Sequence, residues 1–348
     1  MVNKKILGIV AVIVVIIIVV VVVGGGGTVF SSKQVNNTVE AAVTKDCAGT
    51  PWFVAQEKGY FKKYGVNFVD KGEIPVAQQS AAFISGEINV YAGHPNSVIN
   101  LIKSGAKAKA VAVSEAEPTN ESVEKEHMHW LVKSDSPLKT AADFKIFKEE
   151  NGRKVKVAIA AQGTCADLET NAWFRKNNIT DEYYEFVVLP DPQQEAALQQ
   201  GSIDVATLHP PFFNKAEHDG GVRILFTSTP AFGKAAGTVL IVFSDEYIEK
   251  YPDTIRDFLN AFKDGERWAN DNREEAGEIT AKDIGLPYTS NTHWYSPSGA
   301  INDVAKGYIQ KWIDAMVIDG QLKEGEITVD QIVTDKFKDT WKTDLPDN

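Results

Sequence analysis

Two cysteines and six histidines supply the soft, titratable side chains of this 348-residue chain. Four of them, Cys47, His94, Cys165 and His209, each follow a β-like run and lie where a helical pattern begins. Thiol and imidazole together suit zinc or copper in a tetrahedral site. The spacing of the four matches no recognised metal motif, and two cysteines cannot make a four-cysteine zinc site. No metal is therefore assigned, because small polar cleft walls or buried thiols account for the residues more simply. There is no G-x-S-x-G elbow, H-E-x-x-H helix or Gly-rich phosphate loop, and spacing supports no acid/base pair. The chain is expected to bind rather than catalyse, with no catalytic residue and no cofactor.

The elements that position these residues recur in one form. Strands are expected over 40–44, 88–92, 155–160 and 203–208. Each runs into a loop that opens a helix: Cys47 to Trp52, Gly93 to Ser97, Gly163 to Asp167, and His209 to Phe213. Helix N-termini carry unpaired N–H groups, and in open α/β sheets ligands bind beyond the carboxyl ends of strands. Such a cleft favours anions or polar groups. Thr50, Ser97 and Thr164 are short hydroxyl residues at or beside helix starts, suited either to a ligand oxygen or to capping. Trp52 could stack on a ligand or pack into the core. His127 and His129 flank Met128 in an expected strand and so share a face, with ordinary packing as their role. Pro252 opens a helix whose Ile255, Phe258, Leu259 and Phe262 recur at i, i+3, i+4 and i+7, a core-facing stripe.

The bulk properties narrow the setting. With 43% hydrophobic residues the chain can bury a sizeable core, and a net charge of −11 makes nucleic acid an unsuitable partner. Lys4 and Lys5 precede an uncharged apolar run of 18 residues, 6–23. As a helix this run would span roughly 27 Å, nearly a hydrocarbon core. The flanking lysines keep residues 1–5 cytoplasmic and send the chain from Gly24 onward outside. The run exceeds a usual signal-peptide core and lacks a small-x-small cleavage pattern, so an uncleaved membrane anchor is expected. Residues 24–38, rich in Gly and polar side chains, read as a flexible tether.

The stretch Pro51-Trp-Phe-Val-Ala-Gln-Glu-Lys-Gly-Tyr-Phe-Lys-Lys-Tyr-Gly-Val-Asn-Phe-Val resembles a signature of ABC-importer substrate-binding proteins for sulfonates, nitrate, taurine and thiamine-precursor pyrimidines. The likeness continues in order through Ser85-Gly-Glu-Ile-Asn-Val, Ser136-Pro-Leu-Lys-Thr-Ala-Ala-Asp-Phe-Lys, Ala197-Leu-Gln-Gln-Gly-Ser-Ile-Asp-Val and Lys311-Trp-Ile-Asp-Ala-Met. It implies an α/β, two-lobed periplasmic-binding-protein fold of type II, with a mixed sheet in each lobe and a ligand cleft between them. Lobe one would hold 39–130 and 238–348, lobe two 131–237. Carried onto this chain, the family's cleft residues fall at Asp46, Cys47, Thr50, Trp52, Gly93, His94, Ser97, Gly163, Thr164, Cys165, His209 and Phe212. The implied protein is a monomer that delivers a small, anionic solute to permease subunits driven by a cytoplasmic ATPase. An aliphatic sulfonate, taurine or nitrate is the first expectation, a pyrimidine-like heterocycle the second. His94 and His209 depart from the residues common at their positions. A pyrimidine-synthase branch shares the fold, but its cysteine cluster is absent here.

Overall fold

The computed structural model describes residues 36–117, 123–287, 294–296 and 298–342. The expected anchor and nearly all of the tether lie outside them. Among the described residues no helix is long and apolar enough to cross a membrane. The described residues from 36 onward cluster as one compact unit.

Eleven strands among the described residues fall into two groups. In the first, β1 (Thr38–Ala41) pairs in parallel with β2 (Asn67–Asp70). Beside them β3 (Val90–Gly93), β4 (Ala108–Ala116), β10 (Val239–Ser244) and β11 (Trp294–Tyr295) form a sheet of order β11-β4-β10-β3. In the second group β5 (His129–Lys133), β8 (Ala206–Leu208) and β9 (Val222–Thr227) pair antiparallel in the order β8-β5-β9. There β6 (Val155–Ile159) runs parallel to β7 (Tyr184–Val188), and a bridge from Val157 to Val205 ties that pair toward β8. The chain thus crosses from the first group to the second between Ala116 and His129, and returns between Thr227 and Val239.

β10 explains why the return is firm. Its Val-Leu-Ile-Val-Phe is buried throughout and lies antiparallel between β3 and β4, as a continuous apolar run in a sheet covered on both faces should. The helix Pro252–Asp271 lays Ile255, Phe258, Leu259 and Phe262 into the core of the first group, with Pro252 at its first turn. In the second group Trp130 stacks on Phe226 at 4.4 Å, Phe226 stacks on Trp173 at 3.8 Å, and the Trp130 indole N–H donates to Thr170 at 2.8 Å. Those rings fix β5 and β9 against the helix Cys165–Lys176, which opens with Cys165.

His127 falls outside the expected strand. β5 begins at His129, whose ring stacks on Phe213 and pairs with Glu217, whereas His127 turns toward Glu117 and Glu169. The bend before β5 removes the two-residue alternation on which a shared face depends.

Candidate functional site

Three of the strand-to-helix loops converge. β3 ends at Gly93, and His94 stands in the N-cap position with Pro95 opening the helix Pro95–Lys103. A Cβ on Gly93 would come within 2.8 Å of the Tyr91 ring, so glycine lets the loop pass. After β6 the chain turns at Gly163, whose φ of +74° is the left-handed conformation that glycine adopts without strain. Cys165 is then the first residue of the helix Cys165–Lys176. His209 follows β8 directly. The first loop belongs to one strand group and the other two to the second, and direct bonds join them. The Asn96 side-chain amide donates to the Gly163 carbonyl at 2.8 Å, and the Cys47 N–H donates to the Pro210 carbonyl at 2.9 Å.

One ligating atom each from His94, Cys165 and His209 lies within 4.8 Å of the other two. Cys165 Sγ is 3.4 Å from His209 Nε2. The opposite ring nitrogen of each histidine is engaged: His94 Nδ1 lies 2.8 Å from the Thr238 carbonyl, and His209 Nδ1 lies 2.8 Å from Asp191 Oδ2. The His209 backbone N–H donates to the same carboxylate oxygen at 3.1 Å. Beside the cluster the His127 ring, whose centroid is 5.4 Å from that of His94 and 6.0 Å from that of His209, stands between Glu117 at 2.9 Å and Glu169 at 3.3 Å.

Charge couples these groups. Burial alone would raise the Cys165 thiol, but the His94 and His209 charges, with hydrogen bonds from His127 and His209, hold it well below an ordinary thiol. Burial alone would lower His209, yet Asp191 and Cys165 outweigh it and raise the imidazole well above its usual value. Burial likewise opposes the charge on His127, and Glu169 and Glu117 raise it well above the ordinary value. A thiolate beside imidazoles at the start of a helix can ligate a metal or act as a nucleophile.

The remaining expected residues go elsewhere. Trp52, expected as a stacking surface, is packed among Phe68, Phe258 and Phe262 with centroids 4.7 to 5.6 Å away. The Thr50 hydroxyl is buried 2.6 Å from that of Thr280. Asp46 caps the short turn Cys47–Gly49 through the Ala48 N–H, and burial raises its carboxyl. Cys47 is buried, its carbonyl accepts from the Tyr295 hydroxyl at 3.1 Å, and it is not one of the three clustered residues. Ser97 is half-buried and hydrogen-bonds Tyr91. The Thr164 hydroxyl donates to the Ala161 carbonyl at 2.7 Å, and Phe212 lines a surface groove with Pro192, Lys215 and Leu286. Sequence reasoning missed Asp191, Glu117 and Glu169 and gave His127 only packing. Nothing in local spacing marks them, since each acts on a partner from a distant segment.

A family model described as the NMT1-like family matches residues 34–284. An Escherichia coli (strain K12) protein named for binding aliphatic sulfonates is 29% identical over 157 residues, 45% of this chain and 46% of that protein. The chain spans about half the length of the curated relatives it matches. Among solved structures, the periplasmic nitrate-binding protein NrtA from Synechocystis PCC 6803 superposes with a TM-score of 0.72 at 14% identity, covering 88% of each chain. The desulfurization enzyme DSZB shares the fold more distantly, with a TM-score of 0.62 at 12% identity over 88% of this chain and 99% of that one. The periplasmic-binding-protein fold therefore holds for this chain.

Proposed function

Because the chain belongs to the NMT1-like family, we propose that it is the solute-binding component of an ABC importer, working outside the cytoplasm and catalysing nothing. One observation carries the reading beyond the likeness: three strand-to-helix loops from two strand groups bring two half-buried imidazoles and a buried thiol to a single point. A binding protein needs just that arrangement, because a solute touching both groups favours the state in which they are together. The two groups act as the lobes expected over 39–130 with 238–348 and over 131–237. Residues 6–23 anchor the domain, residues 24–38 tether it, and permease subunits with a cytoplasmic ATPase receive the solute.

The likeness to the sulfonate- and nitrate-binding relatives favours a small oxyanion: an aliphatic sulfonate, taurine or nitrate. The chemistry of the site favours a cation, because a thiol and two imidazoles converge there and the carboxylates of Glu117, Glu169 and Asp191 stand behind the imidazoles. A thermal-shift screen of the full chain in detergent, covering sulfonates, taurine, nitrate, pyrimidines and metal ions, tests both. A solute at a hundred times its Kd stabilises by about 2.7 kcal/mol, a rise in Tm of about 3–6 °C. No rise with any class, while a known sulfonate-binding protein responds in parallel, would contradict the proposal.

A further inference from the structure

We propose that His94 Nε2, Cys165 Sγ and His209 Nε2 are the protein ligands of one thiophilic metal ion, Zn²⁺ or Cu⁺, held where the two strand groups meet. Metal–sulfur and metal–nitrogen bonds of about 2.3 and 2.0–2.1 Å at a tetrahedral angle put sulfur and nitrogen about 3.5 Å apart. The Cys165 Sγ to His209 Nε2 distance is 3.4 Å, and all three ligating atoms fall within 4.8 Å of one another. A separation of that size suits a single ion held by all three atoms.

The second argument is orientation. The Thr238 carbonyl and the Asp191 carboxylate can only accept, so each binds a proton on Nδ1 and turns Nε2 of His94 and of His209 toward the cluster, where a metal ion would displace any proton that Nε2 holds. A carboxylate or carbonyl behind the imidazole is the usual outer support of a metal-bound histidine. The third is charge. Glu117 and Glu169 are buried on either side of His127, two carboxylates to one imidazole, and an added cation would offset the surplus of buried acid. Thiolate with imidazole selects zinc and monovalent copper among the available ions. Three protein ligands leave a fourth position open.

His94 comes from one strand group, Cys165 and His209 from the other, so the ion would draw the groups together. That the ion is the transported solute rests on the function proposed above; that it binds does not.

The test uses the full chain in detergent, stripped of metal and titrated with Zn²⁺ against a chromophoric chelator, with Cu⁺ against a copper-selective one, and with Co²⁺ as a spectroscopic stand-in. One ion per chain is expected, with a near-ultraviolet thiolate-to-cobalt charge-transfer band. Cys165→Ser changes one atom and should abolish the band. Asp191→Asn should keep it and weaken zinc binding roughly 10–100-fold. Cys47→Ser should alter neither. Substoichiometric binding of both Zn²⁺ and Cu⁺, or an unchanged cobalt band in a folded Cys165→Ser chain, overturns the site. Fast alkylation of Cys165 in a chain that binds no metal overturns it in favour of a nucleophilic thiolate. A sulfonate that stabilises the metal-free chain while zinc and copper do not would overturn the metal site and leave the binding function standing. Stoichiometric metal without transporter-dependent metal uptake would overturn only the claim that the ion is cargo.

Discussion

Trp52 shows how a residue near a binding loop can belong to the core. It is 4% exposed and wedged among three phenylalanines. Trp52→Ala should therefore cost about 3–5 kcal/mol in urea unfolding, and a loss below about 1 kcal/mol would place the ring outside the core. Glu266 gives a pH signature. It is fully buried, neither carboxylate oxygen has a hydrogen-bond partner, and burial holds its carboxyl well above 4.5 against the opposing pull of Lys263. The folded chain keeps that proton where the unfolded chain loses it, so stability falls as pH rises from about 4.5 through the raised value. Glu266→Gln should flatten that part of the Tm-against-pH curve, and an undiminished fall in the variant would assign it to other groups. The same burial explains what was illegible in the sequence. Thr50 and Trp52 carry the types and positions of ligand contacts, but a helix start facing the core looks identical to one facing a cleft until packing decides. His94, Cys165 and His209 were legible as loop residues, whereas Cys47 stays out of their cluster and His127 stands beside it, distinctions that depend on tertiary placement.

At the scale of elements, glycines set the loops. A Cβ on Gly237, just before β10, would lie 2.5 Å from Glu117 Oε2 and 2.8 Å from the Glu117 backbone nitrogen. Gly237→Ala should cost about 1–3 kcal/mol because backbone must shift, and Glu117, which holds His127, would move with it. Urea denaturation at neutral pH reads this cost, and a neutral outcome would mean that the crossing is looser than its geometry. The alternation of β-like and helical runs made the strand-to-helix junctions readable, since Gly93, Pro95 and Gly163 punctuate them. Strand ends were less so: the strand expected over 203–208 begins at Ala206, where pairing with β5 starts. Pairing partners supplied by distant segments set such limits.

For the whole molecule, two strand groups meet at one small site, and each group alone holds only part of it. An anchored chain should sediment with membranes and resist extraction by high salt, and recovery in the soluble fraction would remove the anchor at 6–23. The most direct test is hydrogen exchange on the full chain with and without saturating Zn²⁺ and, separately, an aliphatic sulfonate. Bound solute should slow exchange together at the loops around His94, Cys165 and His209, drawing both strand groups into one protected patch. Protection confined to one group, or absent from the loops around His94, Cys165 and His209, would contradict a site shared between the two.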